Sequence, residues 1–153
     1  MLNKKVFITG AAGFIGYNFV KHLLKYTRHD NITCIVRSTS HYKKLSDLGI
    51  NILIADINNI GEYEKELLKS NYVYHFAANA SFESNNSYEK VNVKATERII
   101  NSLKKSKSLE LFVFSSTIGV VDRKRSEFNF MPLNEKSFPY PKSEYGKSKL
   151  ECE

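Results

Sequence analysis

At 153 residues, with 42% apolar and 25% charged side chains, the chain has the length of one domain and an ordinary globular composition, which excludes a disordered or low-complexity protein. A domain of this size hides roughly 70% of its extended-chain surface, enough for a real core. The net charge of +7 raises nucleic-acid binding, but the basic residues are scattered and form no recognised binding motif, leaving a solvated lysine-rich surface or a positive cleft for a phosphate-bearing ligand.

The basic start "MLNKK" is followed by an apolar run of only Val6 to Ile8; a secretory segment needs about 7–15 apolar residues. No stretch approaches the roughly 18–20 residues that span a bilayer, so neither a membrane nor a nucleic-acid partner is expected. Cys34 falls in a predicted buried strand and Cys152 near the end of the sequence. A disulfide between them is not expected, and free thiols point to a reducing, cytoplasmic compartment.

Strand-like and helix-like segments alternate along the chain. "KVFIT" (5–9) is a short β-rich run ending at Gly10. Residues 12–26 follow with helical spacing, Phe14, Ile15, Phe19, Val20, Leu23 and Leu24 falling on one broad face. "ITCIV" (32–36) reads as a buried strand, 41–48 as a short helix closed by Gly49, and "NILIA" (51–55) as the third strand. A helix over 62–70, a fourth strand "YVYHFA" (72–77), a long helix over 86–106 and a fifth strand over 109–116 complete the series. Continuous apolar strands separated by helices imply a parallel α/β sheet covered on both faces. Right-handed crossovers then favour strand order 3-2-1-4-5, with a ligand crevice where strands 1 and 4 diverge. Residues 117–143 hold all three prolines and read as a long loop, the kind that usually serves function. A last helix starts near Ser143, a suitable N-cap with Glu144 beside it.

Three glycines, Gly10, Gly13 and Gly16, stand three residues apart between the first strand and the first helix. Gly10 allows a tight turn out of the strand. Gly13 lets backbone approach a pyrophosphate with no Cβ in the way, and Gly16 lets the helix pack closely on the sheet. The helix N-terminus adds free N–H groups and the positive end of its dipole. A nicotinamide dinucleotide is the ligand this context predicts. After strand two comes Arg37, where an acid would favour NAD; an arginine pairs with a 2′-phosphate, so NADP(H) is favoured over NAD(H). Lys43 and Lys44 add positive field. The plain alternative is that Arg37 is only a solvated residue. Asp56, after strand three, is placed to accept from an adenine amino group, or is simply a loop or capping aspartate.

Tyr145 and Lys149 are four apart on the last predicted helix and share a face. A tyrosine titrates near 10, and bringing it to about 7 takes roughly 4 kcal/mol of phenolate stabilisation. A neighbouring ammonium in a partly dry cleft is expected to supply much of it. Ser115, Ser116 and Thr117 stand where strand five emerges, able to hold a substrate oxygen or merely to satisfy turn backbone.

Together these stretches resemble the extended branch of the short-chain dehydrogenase/reductase superfamily, the NAD(P)-dependent epimerases and dehydratases. "TGAAGFIG" (9–16) looks like its glycine loop, "ADI" (55–57) its adenine-contacting aspartate, "HFAA" (75–78) its strand-four signature, and "VNVKAT" (91–96) carries its central-helix asparagine. "FVFSST" (112–117) and "YGKSK" (145–149) match its catalytic strand and Tyr/Lys pair. The resemblance implies one Rossmann-like dinucleotide-binding domain over 1–153. Cofactor contacts would come from Gly10, Gly13, Phe14, Ile15, Gly16, Arg37, Asp56, Ile57, Ala77, Ala78, Asn92 and Lys149. Catalysis would fall to Thr117 (Ser116 being the lesser choice), Tyr145 and Lys149, with hydride transfer at a secondary alcohol or carbonyl of a nucleotide sugar or related small molecule, and no metal. It also implies a homodimer through the long helix and the Tyr/Lys helix. Two departures stand out. Arg37 pulls towards 3β-hydroxysteroid- or flavanonol-type reductases. The sequence also stops soon after the Tyr/Lys helix begins, where family members continue into a substrate domain, so a C-terminally incomplete domain is expected. Rival readings are a non-catalytic dinucleotide-binding fragment or sensor and, more distantly, a basic nucleic-acid binder.

Overall fold

The computed structural model describes residues 3–80, 88–122 and 132–153. Five strands form one parallel sheet: β1 (Val6–Thr9), β2 (Ile32–Val36), β3 (Asn51–Ile54), β4 (Tyr72–His75) and β5 (Leu111–Phe114). Their order is β3-β2-β1-β4-β5, as the alternation predicts. Every pairing is parallel, and one rung carries Thr9 opposite both Ile35 and His75, with His75 in turn opposite Phe114.

Period-two alternation divides the β1 side chains between two cores. Phe7 joins Val73, Tyr63, Leu67, Ile99 and Leu103 on one face. Val6 and Ile8 join Ile32, Cys34, Val36, Val20 and Leu45 on the other. Fully burying a residue such as Phe7 stabilises by about 1.5–3 kcal/mol. The helices that cover these faces are α1 (Phe14–Leu23), α2 (Lys43–Ser46), α3 (Glu64–Leu68), α4 and α5 (Glu144–Cys152). Helix α4 opens with wide π-type turns over Glu89–Lys94 and continues as regular helix over Ala95–Leu103.

Several elements are shorter than their sequence patterns. α1 starts only at Phe14 because residues 10–13 form the glycine turn, Gly13 donating to Gly10 O at 3.1 Å. β4 ends at His75, after which the Phe76 and Ala77 amides turn to the end of β1, donating to Thr9 O and Thr9 Oγ1. The segment expected as one helix over 62–70 is a tight turn at Ile60–Glu62 followed by α3. The long loop contains a tight helical turn at Ile118–Val121, begun by Thr117; its residues 123–131, like 86 and 87 of the predicted long helix, lie outside the described residues. Gly49 ends the α2 segment at φ +71°, as a left-handed terminator. Ser143 caps α5, its Oγ accepting from the Gly146 amide at 3.0 Å. Among the described residues no helix is long and apolar enough to cross a membrane.

Candidate cofactor and catalytic site

The glycine loop leaves β1 at the carboxyl edge of the sheet. Gly10 has φ +70°, and a Cβ there would stand 2.5 Å from Ala77 N and 2.6 Å from Phe76 C. Two backbones thus touch at the point where β1 and β4 part. A Cβ on Gly16 would run into Gly10 O and lie 2.7 Å from Ala11 Cα, so this glycine lets α1 sit against its own loop. Gly13 differs. Its φ is −82°, and an added Cβ would be 3.3 Å from Gly10 O, the sole close approach among the described residues beyond its chain neighbours. Gly13 therefore answers no packing demand as severe as the other two, and it is exposed.

Helix α1 has no side-chain cap and no acid in its first turn. The amides of its first turn have no acceptor within the helix, and the dipole there is positive. Phe14 and Ile15 leave 86% and 60% of their surface exposed. Ala77 and Ala78 follow β4 beside this loop, both half-buried. Backbone donors, missing Cβ atoms and an apolar rim fit a dinucleotide diphosphate.

Farther along the same edge, Arg37 follows β2 and is exposed. Asp56 follows β3; its Oδ1 accepts from Asn58 N and Nδ2, each at 2.9 Å, and its amide donates to Glu62 Oε2 at 2.9 Å. The turn role expected as the alternative therefore occupies one carboxylate oxygen. The Ile57 side chain lies in the core, and its carbonyl accepts from Tyr63 OH at 2.7 Å.

The Tyr/Lys helix docks on the turn after β5. A Cβ on Gly146 would stand 2.6 Å from Gly119 O, so α5 approaches that backbone at its second residue after Glu144. This contact brings Tyr145 and Lys149 to the segment that Thr117 begins. Thr117 Oγ1 accepts from Gly119 N at 3.3 Å, which leaves its own hydrogen to donate. Ser116 is exposed and donates to the Glu153 carboxylate. Tyr145 is half-buried, its ring 6.3 Å from that of Tyr88, and burial pushes its phenol upward. The expected lowering by Lys149 is not what this geometry gives. Lys149 is only 2% exposed, with Nζ 4.0 Å from the Phe114 ring centroid. Burial pulls its ammonium down, while Cys152 and Glu153 oppose that shift.

Asn92, in the π-type opening of α4, is also 2% exposed. It accepts from Asn79 N at 2.7 Å and donates to Asn79 O at 3.0 Å and to Ser148 Oγ at 2.9 Å. Ser148 Oγ in turn donates to Tyr145 O at 2.8 Å. The side chain of Asn92 thus joins the loop after β4 to α5. Sequence reasoning passed over four residues of this interior: Gly146, Ser148, Thr9 and His75. Each lies inside a motif already singled out. A glycine next to the tyrosine is a readable sign of close backbone approach, whereas the two hydroxyls and the imidazole carry no local pattern.

Comparison with known proteins bears on the family and the fold. The model of the NAD dependent epimerase/dehydratase family matches residues 6–153. The chain belongs to that family. A dihydroflavonol 4-reductase of Solanum lycopersicum is 31% identical over 129 residues, covering 76% of this chain and 33% of that protein. A UDP-glucose 4-epimerase of Vibrio cholerae is 28% identical over 156 residues, covering 98% and 45%. Among solved structures, the UDP-glucuronic acid 4-epimerase of Bacillus cereus in complex with NAD superposes with a TM-score of 0.79 at 27% identity, over 97% of this chain and 50% of that one. The chain spans between a third and a half of the length of these family members.

Proposed function

We propose that this chain is the dinucleotide-binding part of an NAD(P)-dependent oxidoreductase or epimerase, acting by hydride transfer at a secondary alcohol or carbonyl of a nucleotide sugar or related substrate. The observation that carries the reading is the close approach of Gly10 to the Ala77 backbone beside an α1 N-terminus left uncapped. A diphosphate would be held by the amides of Phe14, Ile15 and Gly16, with Gly13 giving it room. Ala77 and Ala78 would line the dinucleotide, and Asn92 would hold that wall from behind. Asp56, through its second carboxylate oxygen, and Ile57 would border the adenine. A bound nicotinamide dinucleotide would supply the hydride chemistry.

The remaining roles belong to the chain's own side chains. Tyr145 exchanges a proton with the substrate oxygen, Thr117 donates a hydrogen bond to that oxygen, and Lys149 places positive charge beneath the site. Tyr145→Phe should cut any turnover at least about a hundredfold and leave dinucleotide binding intact; unchanged turnover would remove Tyr145 from the chemistry.

Arg37 favours NADP(H) as the cofactor, since an exposed guanidinium after β2 suits a 2′-phosphate. It also favours a second reading, a flavanonol-type carbonyl reductase, the activity named for the tomato relative. A homodimer through α4 and α5 is part of the proposal, and light scattering tests it. The cofactor reading is tested by thermal shift with NADP(H), NAD(H) and no ligand. Binding to the folded state alone raises the melting temperature, more for the preferred nucleotide; a flat response to both would sink it.

A further inference from the structure

His75 is fully buried at the end of β4 and touches a hydroxyl on each side: Thr9 Oγ1 lies 2.6 Å from Nδ1 and Thr96 Oγ1 2.9 Å from Nε2. The directions of these bonds follow from what else the hydroxyls do. Thr9 Oγ1 already accepts from the Ala77 amide at 3.1 Å, so its hydrogen is free to go to Nδ1. On the other side, Thr96 stands on α4 and is buried. A neutral imidazole carries a single N–H, so with Nδ1 accepting, Nε2–H is the donor and Thr96 Oγ1 accepts from it.

We infer that His75, as its Nε2–H tautomer, is a positioning residue that fixes the Ala77 backbone at the cleft through Thr9 and ties that wall to α4 through Thr96. The chain of donors runs one way, from the Ala77 amide through Thr9 and His75 to Thr96 on α4. The sheet supports it, since Thr9, His75 and Phe114 share a rung. The imidazole lies nearly parallel to the Phe114 ring at 5.8 Å, and that ring lies under Lys149 Nζ. A neutral imidazole is the group that suits this place: it gives and takes one hydrogen bond and adds no charge beside a buried ammonium.

Two substitutions separate the two sides of the ring. Asn offers an oxygen where Nδ1 stands, so His75→Asn should keep the Thr9 link. Gln offers an amide nitrogen where Nε2 stands, so His75→Gln should keep only the Thr96 link. Nitrogen-15 NMR of the wild-type imidazole should show Nδ1 unprotonated and Nε2 protonated. Hydrogen exchange at the Ala77 amide should stay near wild type in His75→Asn and speed at least about tenfold in His75→Gln. If these variants fail to fold, Thr9→Ser should hold the Ala77 amide protected and Thr9→Val should release it. An Nδ1–H tautomer, equal exchange in the Asn and Gln variants, or a protected amide in Thr9→Val would each overturn the inference. The consequence for affinity rests on the dinucleotide reading: NADP(H) should bind more weakly to His75→Gln than to His75→Asn. A wild-type chain that binds no dinucleotide would defeat that reading alone, while tautomer and exchange still decide the role of His75.

Discussion

Gly10 and Gly13 stand three residues apart in one motif, yet alanine should act on them in different ways. At Gly10 the backbone is left-handed, φ +70°, which costs an L-residue roughly 1–2 kcal/mol. The new Cβ would also stand 2.5 Å from Ala77 N and 2.6 Å from Phe76 C. Both are backbone atoms just past β4, held to the end of β1 by the Phe76 and Ala77 amides, so that contact must open, at a further cost of about 1–3 kcal/mol. Gly10→Ala should therefore lose ~3 kcal/mol, a large share of a stability that is typically about 5–15 kcal/mol. At a urea slope of about 2 kcal/mol per molar, the midpoint falls by ~1.5 M. At Gly13, φ is −82° and among the described residues the Cβ would meet only Gly10 O, at 3.3 Å, so the midpoint of Gly13→Ala should stay within about 0.3 M of wild type. The methyl would instead stand where a diphosphate approaches the α1 amides, and dinucleotide affinity should fall on the order of tenfold or more, about 1.4 kcal/mol. Urea melts followed by circular dichroism and titration calorimetry with NADP(H) read the two effects separately. A Gly13→Ala protein that binds dinucleotide like wild type, or a Gly10→Ala protein with an unmoved midpoint, would refute the assignment of one glycine to ligand and the other to fold.

Three further outcomes follow from single contacts. Arg37→Asp should weaken NADP(H) binding about tenfold or more, losing a charge-assisted pair, while NAD(H) binding holds or improves; an unchanged ratio by calorimetry would take Arg37 out of cofactor selection. His75 is held down to about 3 by burial, with the Lys149 charge adding to it, against about 6.5 for an unperturbed imidazole. Between those values the unfolded chain binds the extra proton, so stability is full above about 6.5 and declines as pH falls. The loss by pH 5 should be ~2 kcal/mol, and the difference between wild-type and His75→Asn urea melts should change with pH below about 6.5 and become constant above pH 7; a difference independent of pH throughout would show His75 is not the group responsible. Gly146→Ala sets a Cβ 2.6 Å from Gly119 O and 3.1 Å from Ser143 Oγ, so α5 should shift off the turn at a cost of about 1–3 kcal/mol, and a melt within error of wild type would contradict the close docking.

The sheet was legible because each of its strands is a short apolar run bounded by a clear breaker. "ITCIV" matches β2 at both ends, and the order of the strands follows from alternation and handedness alone. Helix lengths were less legible, since periodicity continues through residues whose backbone turns away; α1 loses its first two predicted residues to the glycine loop. The glycines and the Tyr/Lys spacing could be read because each demands a particular backbone or face. The interior behind them could not. Thr9, His75, Thr96 and Ser148 come from four different elements, and only the folded rung of β1, β4 and β5 with α4 and α5 above it brings them together. Asn92 shows the same limit in another form: the motif marks the position, while the packing of α4 decides that its amide grips Asn79 and Ser148.

The relation between Tyr145 and Lys149 bears on the direction of the chemistry. Spacing of four places them one helical turn apart, but α5 drives Lys149 inward onto Phe114 and leaves Tyr145 at the half-buried edge beside Tyr88. Desolvation then favours the neutral phenol, so the chain by itself presents an acid rather than a base. A phenolate would need more than the roughly 4 kcal/mol that an unperturbed tyrosine requires at neutral pH. A protonated phenol, by contrast, has only to give up its hydrogen to an oxygen that is gaining electrons. Thr117, with a hydrogen still to donate, adds to the same demand. On our reading Arg37 prefers the phosphorylated nucleotide and Tyr145 waits protonated. Within that proposal both features are consistent with the flavanonol-type reductase reading, in which Tyr145 gives its proton to the carbonyl oxygen.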